Sequence, residues 1–182
     1  MRTASALCLL SCVSATATPA QEKKQSVEIG TSVGVTIVTQ SGETVTAVGI
    51  PVAQGAIPIL STGTIYMTIF ATRSVMIEPQ ATLTVISGGG ASIRVFGVAA
   101  QTGYLFTPLE RHSAYVAANV GLQHFGGDAG SATGVGLGGA IGYRVRAGAG
   151  FAVRFEGRFR HWVADFDGVN EIGFGIGLGG II

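Results

Sequence analysis

Apolar and polar residues alternate along most of the chain, starting at Val27. Val27 and Ile29 fall on one side of an extended segment, and Glu28 and Gly30 fall on the other. Because the side chains of a β-strand point alternately to its two faces, this period of two predicts strands rather than helices. The pattern recurs in seven further segments, so that the sequence predicts eight strands. They lie near residues 27–37, 64–69, 75–85, 92–106, 115–123, 135–142, 151–162 and 172–179.

The connections between the predicted strands alternate between two kinds. One kind is rich in Gly, Ser, Asp and Asn and predicts open loops, whereas the other kind predicts tight turns. The first loop also leaves room for a short additional strand near residues 45–50, before Pro51. An even number of strands with short turns at one end is typical of a membrane-spanning barrel. The predicted loops are 41–58, 87–90, 126–133 and 164–170, and the predicted turns are 71–74, 107–112 and 145–150.

Composition decides which side of each strand is the inside. Hydrophobic residues make up 47% of the chain and charged residues only 12%, which is about half of the charged share usual in soluble domains. No segment approaches the roughly 18 consecutive apolar residues of a membrane helix. We therefore expect the apolar faces to meet lipid and the polar faces to line a lumen. The predicted fold is an all-β, eight-stranded antiparallel up-and-down transmembrane β-barrel.

Two soluble folds are the alternatives to this barrel. An immunoglobulin-like sandwich has a similar number of strands, but its pattern of core Cys and Trp residues is absent from this sequence. A lipocalin-type barrel needs apolar residues inside and polar residues outside, and the scarcity of charge disfavours such a solvated outer face.

The first twenty residues predict a secretory signal peptide, with a basic residue, a short apolar stretch and small residues before the cleavage site. Cleavage would follow Ala17 or Ala20, so that the barrel domain comprises residues 21–182. Both cysteines, Cys8 and Cys12, lie in the predicted signal peptide, and no disulfide or thiol nucleophile is expected after cleavage. The residues that end at Cys12 also loosely resemble a lipobox, which is the alternative interpretation.

The polar faces carry a set of charged residues that would fill the lumen. Segment 151–162 has Arg154, Glu156 and Arg158 at alternate positions, and its two neighbouring strands are rich in inward glycines. An eight-stranded barrel is just wide enough for its own side chains to fill it, and buried charges require partners. We expect a plugged lumen with five arginines and four glutamates. This lumen charge network comprises Glu28, Glu78, Arg94, Arg144, Arg154, Glu156, Arg158, Arg160 and Glu171.

Motifs of nucleotide, metal and catalytic sites are weak in this sequence. Residues 134–139 and 175–180 match G-x-G-x-x-G, but neither segment opens a helix. Residues 165–170 space carboxylates like part of a calcium loop but lack its distal glutamate. His161 and Asp165 would lie near the outer rim, where a lipid hydrolase could use them, but no serine accompanies them. We expect no catalytic residue, no cofactor and no metal.

Aromatic residues gather near both ends of the predicted strands, as in the two interfacial girdles of a membrane barrel. The predicted outer girdle contains Phe125, Phe159, Trp162 and Phe166, and the predicted inner girdle contains Tyr104, Phe106 and Tyr143.

The succession of strands carries a family resemblance. SAYVAANVGLQ, GVGLGGAIGYRV, FAVRFEGRFRHW and NEIGFGIGLGG resemble the small outer-membrane β-barrel proteins of Gram-negative bacteria, such as the barrel domain of outer membrane protein A and opacity-type porin-like proteins. The resemblance covers about residues 59–180 and implies a monomer in the bacterial outer membrane. It implies outer-membrane lipids and the outer-membrane assembly machinery as partners. Members usually end in an aromatic residue that this machinery binds, and Ile182 departs from that pattern.

The expected function follows from the barrel and its charge balance. The formal net charge of +1 and the scattered arginines exclude a nucleic-acid surface. We expect a structural or surface-interaction role for a barrel with a side-chain-filled lumen. The alternatives are a small porin that passes ions or small solutes and a lipid-modifying outer-membrane enzyme.

Overall fold

The computed structural model describes residues 27–40, 43–48, 64–88, 91–107, 111–128, 130–148 and 150–182. The predicted signal peptide and most of the predicted first loop lie outside these residues. Within them, no helix is long and apolar enough to cross a membrane. The nine strands are β1 Val27–Gln40, β2 Glu43–Val48, β3 Thr64–Phe70, β4 Val75–Gly88, β5 Ala91–Leu105, β6 His112–Gly127, β7 Gly130–Ala147, β8 Phe151–Ala164 and β9 Val169–Ile181.

The strands form one closed antiparallel barrel. From β3 to β9 each strand pairs with the next, and β1 pairs with β9 along residues 28–39 to close the sheet. On its other side, β1 pairs with β3 through residues 27–32 and with β2 through residues 35–40. Strands β2 and β3 thus share one position in the wall. The predicted eight-stranded fold is confirmed, and β2 accounts for the additional strand expected near residues 45–50.

The connections between the strands define two ends of the barrel. We call the end with connections 41–42, 89–90, 128–129 and 165–168 the loop end, and the opposite end, where Val27 and Ile182 lie, the turn end. The predicted loops at 87–90, 126–133 and 164–170 each contain a connection, but the connections are shorter than predicted, because the strands run further than expected. Gly127 and Gly130 still pair with each other at the ends of β6 and β7. Because glycine has no side chain, the alternation of apolar and polar residues could not reveal these strand ends.

The two faces of the wall have opposite character. Leu83 is 74% exposed and Ile141 is 67% exposed, whereas Glu78 and Gln101 on the other face are at most 1% exposed. Soluble monomers rarely expose a continuous apolar band of this kind, which marks a surface that meets lipid. The outward apolar face and inward polar face exclude the lipocalin-type arrangement and the sandwich.

The aromatic residues at the ends of the apolar band follow the predicted girdles at the turn end but not at the loop end. At the turn end, Tyr104, Phe106 and Tyr143 are about half exposed, as the predicted inner girdle requires. At the loop end, Trp162 and Phe166 are buried inside the barrel, and Phe125 is partly buried against them. The predicted outer girdle is therefore wrong except for Phe159, which is exposed. The physical reason is that Trp162 shares the inward phase of the arginines on β8.

We expect an arginine on the apolar face to destabilise the barrel more strongly the deeper it lies in the membrane. Val120 points outward at the middle of β6, and Ser131 points outward at the loop end of β7. V120R should lower the free energy of unfolding by about 2–4 kcal/mol, and S131R by about 0–1 kcal/mol, because an arginine costs most at the bilayer midplane. Urea unfolding in phosphatidylcholine vesicles measures both changes. Equal costs at the two positions would contradict a lipid-facing wall.

Candidate functional site in the barrel lumen

Eight of the nine residues predicted for the lumen charge network lie inside the barrel. They are Glu28, Glu78, Arg144, Arg154, Glu156, Arg158, Arg160 and Glu171. Arg94 does not join them, because Val95 is buried and Arg94 and Phe96 are exposed. The assignment of Arg94 to the lumen is wrong, since β5 has the opposite phase from the one predicted. Without Arg94 the network holds four arginines and four glutamates, and its formal charges cancel.

The network begins at the turn end with Glu28 on β1. The Nε of Arg144 donates to Glu28 Oε2 at 2.8 Å, and the hydroxyl of Tyr66 donates to Glu28 Oε1 at 3.3 Å. The guanidinium carbon of Arg144 lies 5.2 Å from the centre of the Phe70 ring. Glu28 is thus held by one cation and one neutral donor, and the arginine also contacts an aromatic face.

Arg154 occupies the next level and links two carboxylates. Its Nη1 donates to Glu78, and its Nε lies 3.9 Å from Glu156 Oε2. Glu78 also accepts hydrogen bonds from the hydroxyl of Thr68 and, at 2.7 Å, from Nε2 of Gln80. The guanidinium carbon of Arg154 lies 4.1 Å from the centre of the Tyr66 ring. Arginine suits this place because its planar group can serve several acceptors and stack on a ring at once.

Glu156 lies between the two halves of the network. The hydroxyl of Tyr115 donates to its Oε2 at 2.6 Å, and Nε2 of Gln101 donates to the same oxygen at 3.1 Å. Donors from β5 and β6 therefore reach across the lumen to a carboxylate on β8. These contacts connect opposite walls of the barrel.

The loop-end part of the network surrounds Glu171 on β9. Its Oε1 lies 3.3 Å from Nε of Arg158, and its Oε2 lies 4.0 Å from Nη1 of Arg160. The indole Nε1 of Trp162 donates to Oε2 at 3.0 Å. Arg160 also donates from Nε to Asn119 Oδ1 at 3.0 Å. Each of the four glutamates thus has an arginine beside it and at least one uncharged donor to its oxygens, which is the condition for burying a charge in a low-dielectric interior.

Inward glycines make room for these large side chains. A Cβ built on Gly173 would lie 2.9 Å from Nε of Arg158, and one on Gly179 would lie 2.6 Å from Glu28. A Cβ on Gly142 would overlap the Tyr115 ring, and one on Gly134 would overlap the Phe166 ring. The glycines therefore accommodate aromatic rings as well as the arginines and glutamates for which the sequence predicted space.

Apolar clusters close both ends of the network. Val38, Trp162, Phe166 and Val169 pack together at the loop end, and Phe70, Met76, Leu105 and Tyr115 pack together at the turn end. Two cavities between the lumen side chains measure only about 20 Å³ each, which is room for about one water molecule. The described side chains thus fill the space that a conducting barrel would leave to water.

The uncharged partners of the network are the functional residues that the sequence analysis missed. Tyr66, Gln101, Tyr115 and Trp162 each donate to a network carboxylate. Each of them occupies an inward position of its strand, so that the alternation itself could have found them. The partner of Gln101 and Tyr115 could not be predicted, because a contact between strands that do not pair depends on the register of the whole wall.

The segments considered for nucleotide and catalytic chemistry are part of the barrel wall and its loop end. Both G-x-G-x-x-G segments lie in strands, β7 and β9. The His161 ring contacts Asn170 Oδ1 at 2.9 Å, whereas Asp165 accepts from the backbone N–H of Thr133 at 2.8 Å, so these hydrogen bonds do not join His161 to Asp165. Among the described residues, no group of three or more His, Cys, Asp or Glu side chains could hold a metal ion.

The fold is shared with solved structures of bacterial outer-membrane barrels. Neisserial surface protein A superposes with a TM-score of 0.62 at 12% identity, covering 86% of this chain and 96% of that one. The N-terminal barrel of Pseudomonas aeruginosa OprF gives a TM-score of 0.53 at 14% identity, with coverages of 86% and 97%. Ail, the attachment invasion locus protein of Yersinia pestis, gives 0.50 at 13%, with coverages of 87% and 97%. No protein-family model and no curated protein matches the sequence.

We expect that removing only one partner of the Glu78–Arg154 ion pair strongly lowers the free energy of unfolding. R154M leaves Glu78 and Glu156 without their shared cation and should lower the free energy of unfolding by about 3–5 kcal/mol. Adding E78Q should recover at least about 1 kcal/mol, because a neutral amide costs less to bury than an unpaired carboxylate. Fluorescence of Trp162, the one tryptophan of the chain, reports urea unfolding of both variants. Strictly additive losses in the double variant would contradict the pairing.

We also expect glycine to be required inside the wall but not outside it. G142A places a methyl group against the Tyr115 ring and should cost about 1–3 kcal/mol, as overpacking of a filled interior does. G157A is the matched control, because an added Cβ there points outward and meets its nearest atoms at 3.5 Å. The same unfolding assay compares the two variants. Equal stabilities would show that the lumen is loosely packed near Gly142.

Proposed function

We propose that this chain is a non-conducting outer-membrane barrel with a structural or surface-interaction role. The observation that supports this proposal is the filled lumen, in which eight charged side chains neutralise one another between two apolar clusters. In this arrangement the arginines stabilise the wall from within, and no charged group of the network is left to attract a permeating ion.

The fold supports the membrane assignment. Barrels whose outward face is apolar and whose inward face is polar are stable in lipid, since closure leaves no unpaired strand edge in the hydrocarbon. We place the turn end, where Val27 and Ile182 lie, at the periplasm and the loop end at the outer surface. The neighbouring outer-membrane proteins share the fold, and residues at the loop end are therefore the ones that could meet extracellular partners.

The two alternative functions have less support. A small porin needs a continuous aqueous path, and two buried apolar clusters with the charge network between them disfavour such a path. A lipid-modifying enzyme needs a nucleophile beside a base that a third group orients, and the hydrogen bonds described for His161 and Asp165 lead to separate partners.

Bilayer recordings test the proposal directly. Purified protein inserted in a planar bilayer should give no steady current above that of the protein-free bilayer. W162A/F166A removes the loop-end apolar cluster but keeps the arginines and glutamates, and it should also remain silent if the charge network is the plug. Heat-modifiable migration in detergent gels confirms that both proteins are folded barrels. A large steady current from the unsubstituted protein would overturn the non-conducting role.

A further inference from the structure

Arg94 is a charged residue on the outward face of β5, away from the lumen. Among the Asp, Glu, Lys and Arg residues on the described parts of β3 to β9, it is the one that points outward. An outward arginine costs about 2–4 kcal/mol at the bilayer midplane and about 0–1 kcal/mol near the interface. Arg94 lies three residues from the loop-end start of β5, so that it sits at the interface, where this cost is small.

The outward residues beside Arg94 on β6 and β7 are small or polar, in contrast to the apolar band further along the strands. Arg94 is paired with Gly126 across β5 and β6, and Gly126 is paired with Ser131 across β6 and β7. One outward position deeper, the ring of His124 contacts Thr133 Oγ1 at 2.8 Å. Polar outward residues thus lie beside Arg94 on β6 and β7, whereas Phe96 and Leu83 occupy the deeper row on β5 and β4, which fits the boundary between lipid headgroups and hydrocarbon.

These residues line a surface cleft of about 730 Å³. Leu83 and Phe96 form its apolar side and are 74% and 48% exposed, and they lie on the membrane side of Arg94. Gly126 contributes no side chain to cover the guanidinium. Asp128 also lines the cleft, and its side chain interacts with another group.

Arg94 itself forms no ion pair with another described residue. Its guanidinium carries a full positive charge and a fork of N–H donors that matches the oxygens of a phosphate. The cleft therefore combines an unused anion-binding group with an adjacent apolar surface, at the depth where both parts of an amphiphile would lie.

We propose that this cleft binds a phosphate-bearing membrane lipid of the leaflet at the loop end. The phosphate oxygens accept hydrogen bonds from Arg94, with His124 beside them, and an acyl chain packs on Leu83 and Phe96. A membrane lipid is favoured over free phosphate because Leu83 and Phe96 give the cleft an apolar side toward the hydrocarbon. This site is independent of the lumen, so that it does not rest on the non-conducting role.

Native mass spectrometry of the detergent-solubilised protein, titrated with diphosphoryl lipid A, tests the site. R94Q should weaken binding about tenfold and R94K about threefold, since a charge-assisted hydrogen bond contributes more than a neutral one and lysine lacks the planar fork. G126L should also weaken binding, because a side chain there fills the cleft. A Cβ at Gly126 meets only His124 Nε2, at 3.6 Å, so the fold should tolerate this change.

The controls separate the site from general membrane affinity. R73Q removes the same charge from an exposed turn at the opposite end of the barrel and should bind as the unsubstituted protein does. Dephosphorylated lipid A should bind no more tightly than diacylglycerol, which carries no phosphate, and millimolar inorganic phosphate should not displace the lipid. Undiminished binding by R94Q, equal binding of the dephosphorylated lipid, or displacement by phosphate alone would each overturn the proposal.

Discussion

The burial of four arginines and four glutamates in one narrow barrel is the constraint on which the other features of this structure depend. A single unpaired charge in such an interior costs several kcal/mol, whereas a paired and hydrogen-bonded charge can be held there. The charges must therefore match in number and position. Tyr66, Tyr115 and Trp162 each donate a hydrogen bond to one of the carboxylates, and apolar clusters lie at both ends of the network.

Glycine provides the space in which this network can form. On β7 and β9, which flank the arginine-bearing β8, inward positions such as Gly142 and Gly173 lack side chains that would collide with Tyr115 and Arg158. The same positions would be weak points in a strand held by side-chain packing alone, because glycine adds no cross-strand contact. The large residues of β8 and its opposite wall supply those contacts instead.

Much of this architecture could be predicted from alternation, because the phase of an ordinary strand fixes which side chains point inward. The prediction failed where residue polarity did not indicate which side chains of a strand point inward. On β5, Val95 is an inward apolar residue next to an outward Arg94, so that polarity misassigned both. Trp162 was placed at the surface by residue type, although its position two residues after Arg160 indicates the interior. The pairing of Glu28 with Arg144 across 116 residues depends on register, which the sequence alone does not reveal.

The pairing of β1 with β9 has a consequence for folding. Glu28 lies opposite Ile181, so that closing the barrel joins the two ends of the domain at an entropic cost of roughly 4 kcal/mol in the simplest loop-closure treatment. This closure is expected late, after the local hairpins have formed. The closing strand is rich in glycine and could slip along its neighbour with little penalty from its own side chains. Glu28 on β1 fits Arg144 on β7 in one alignment, so this buried pair also acts as a register mark of the last seam to close.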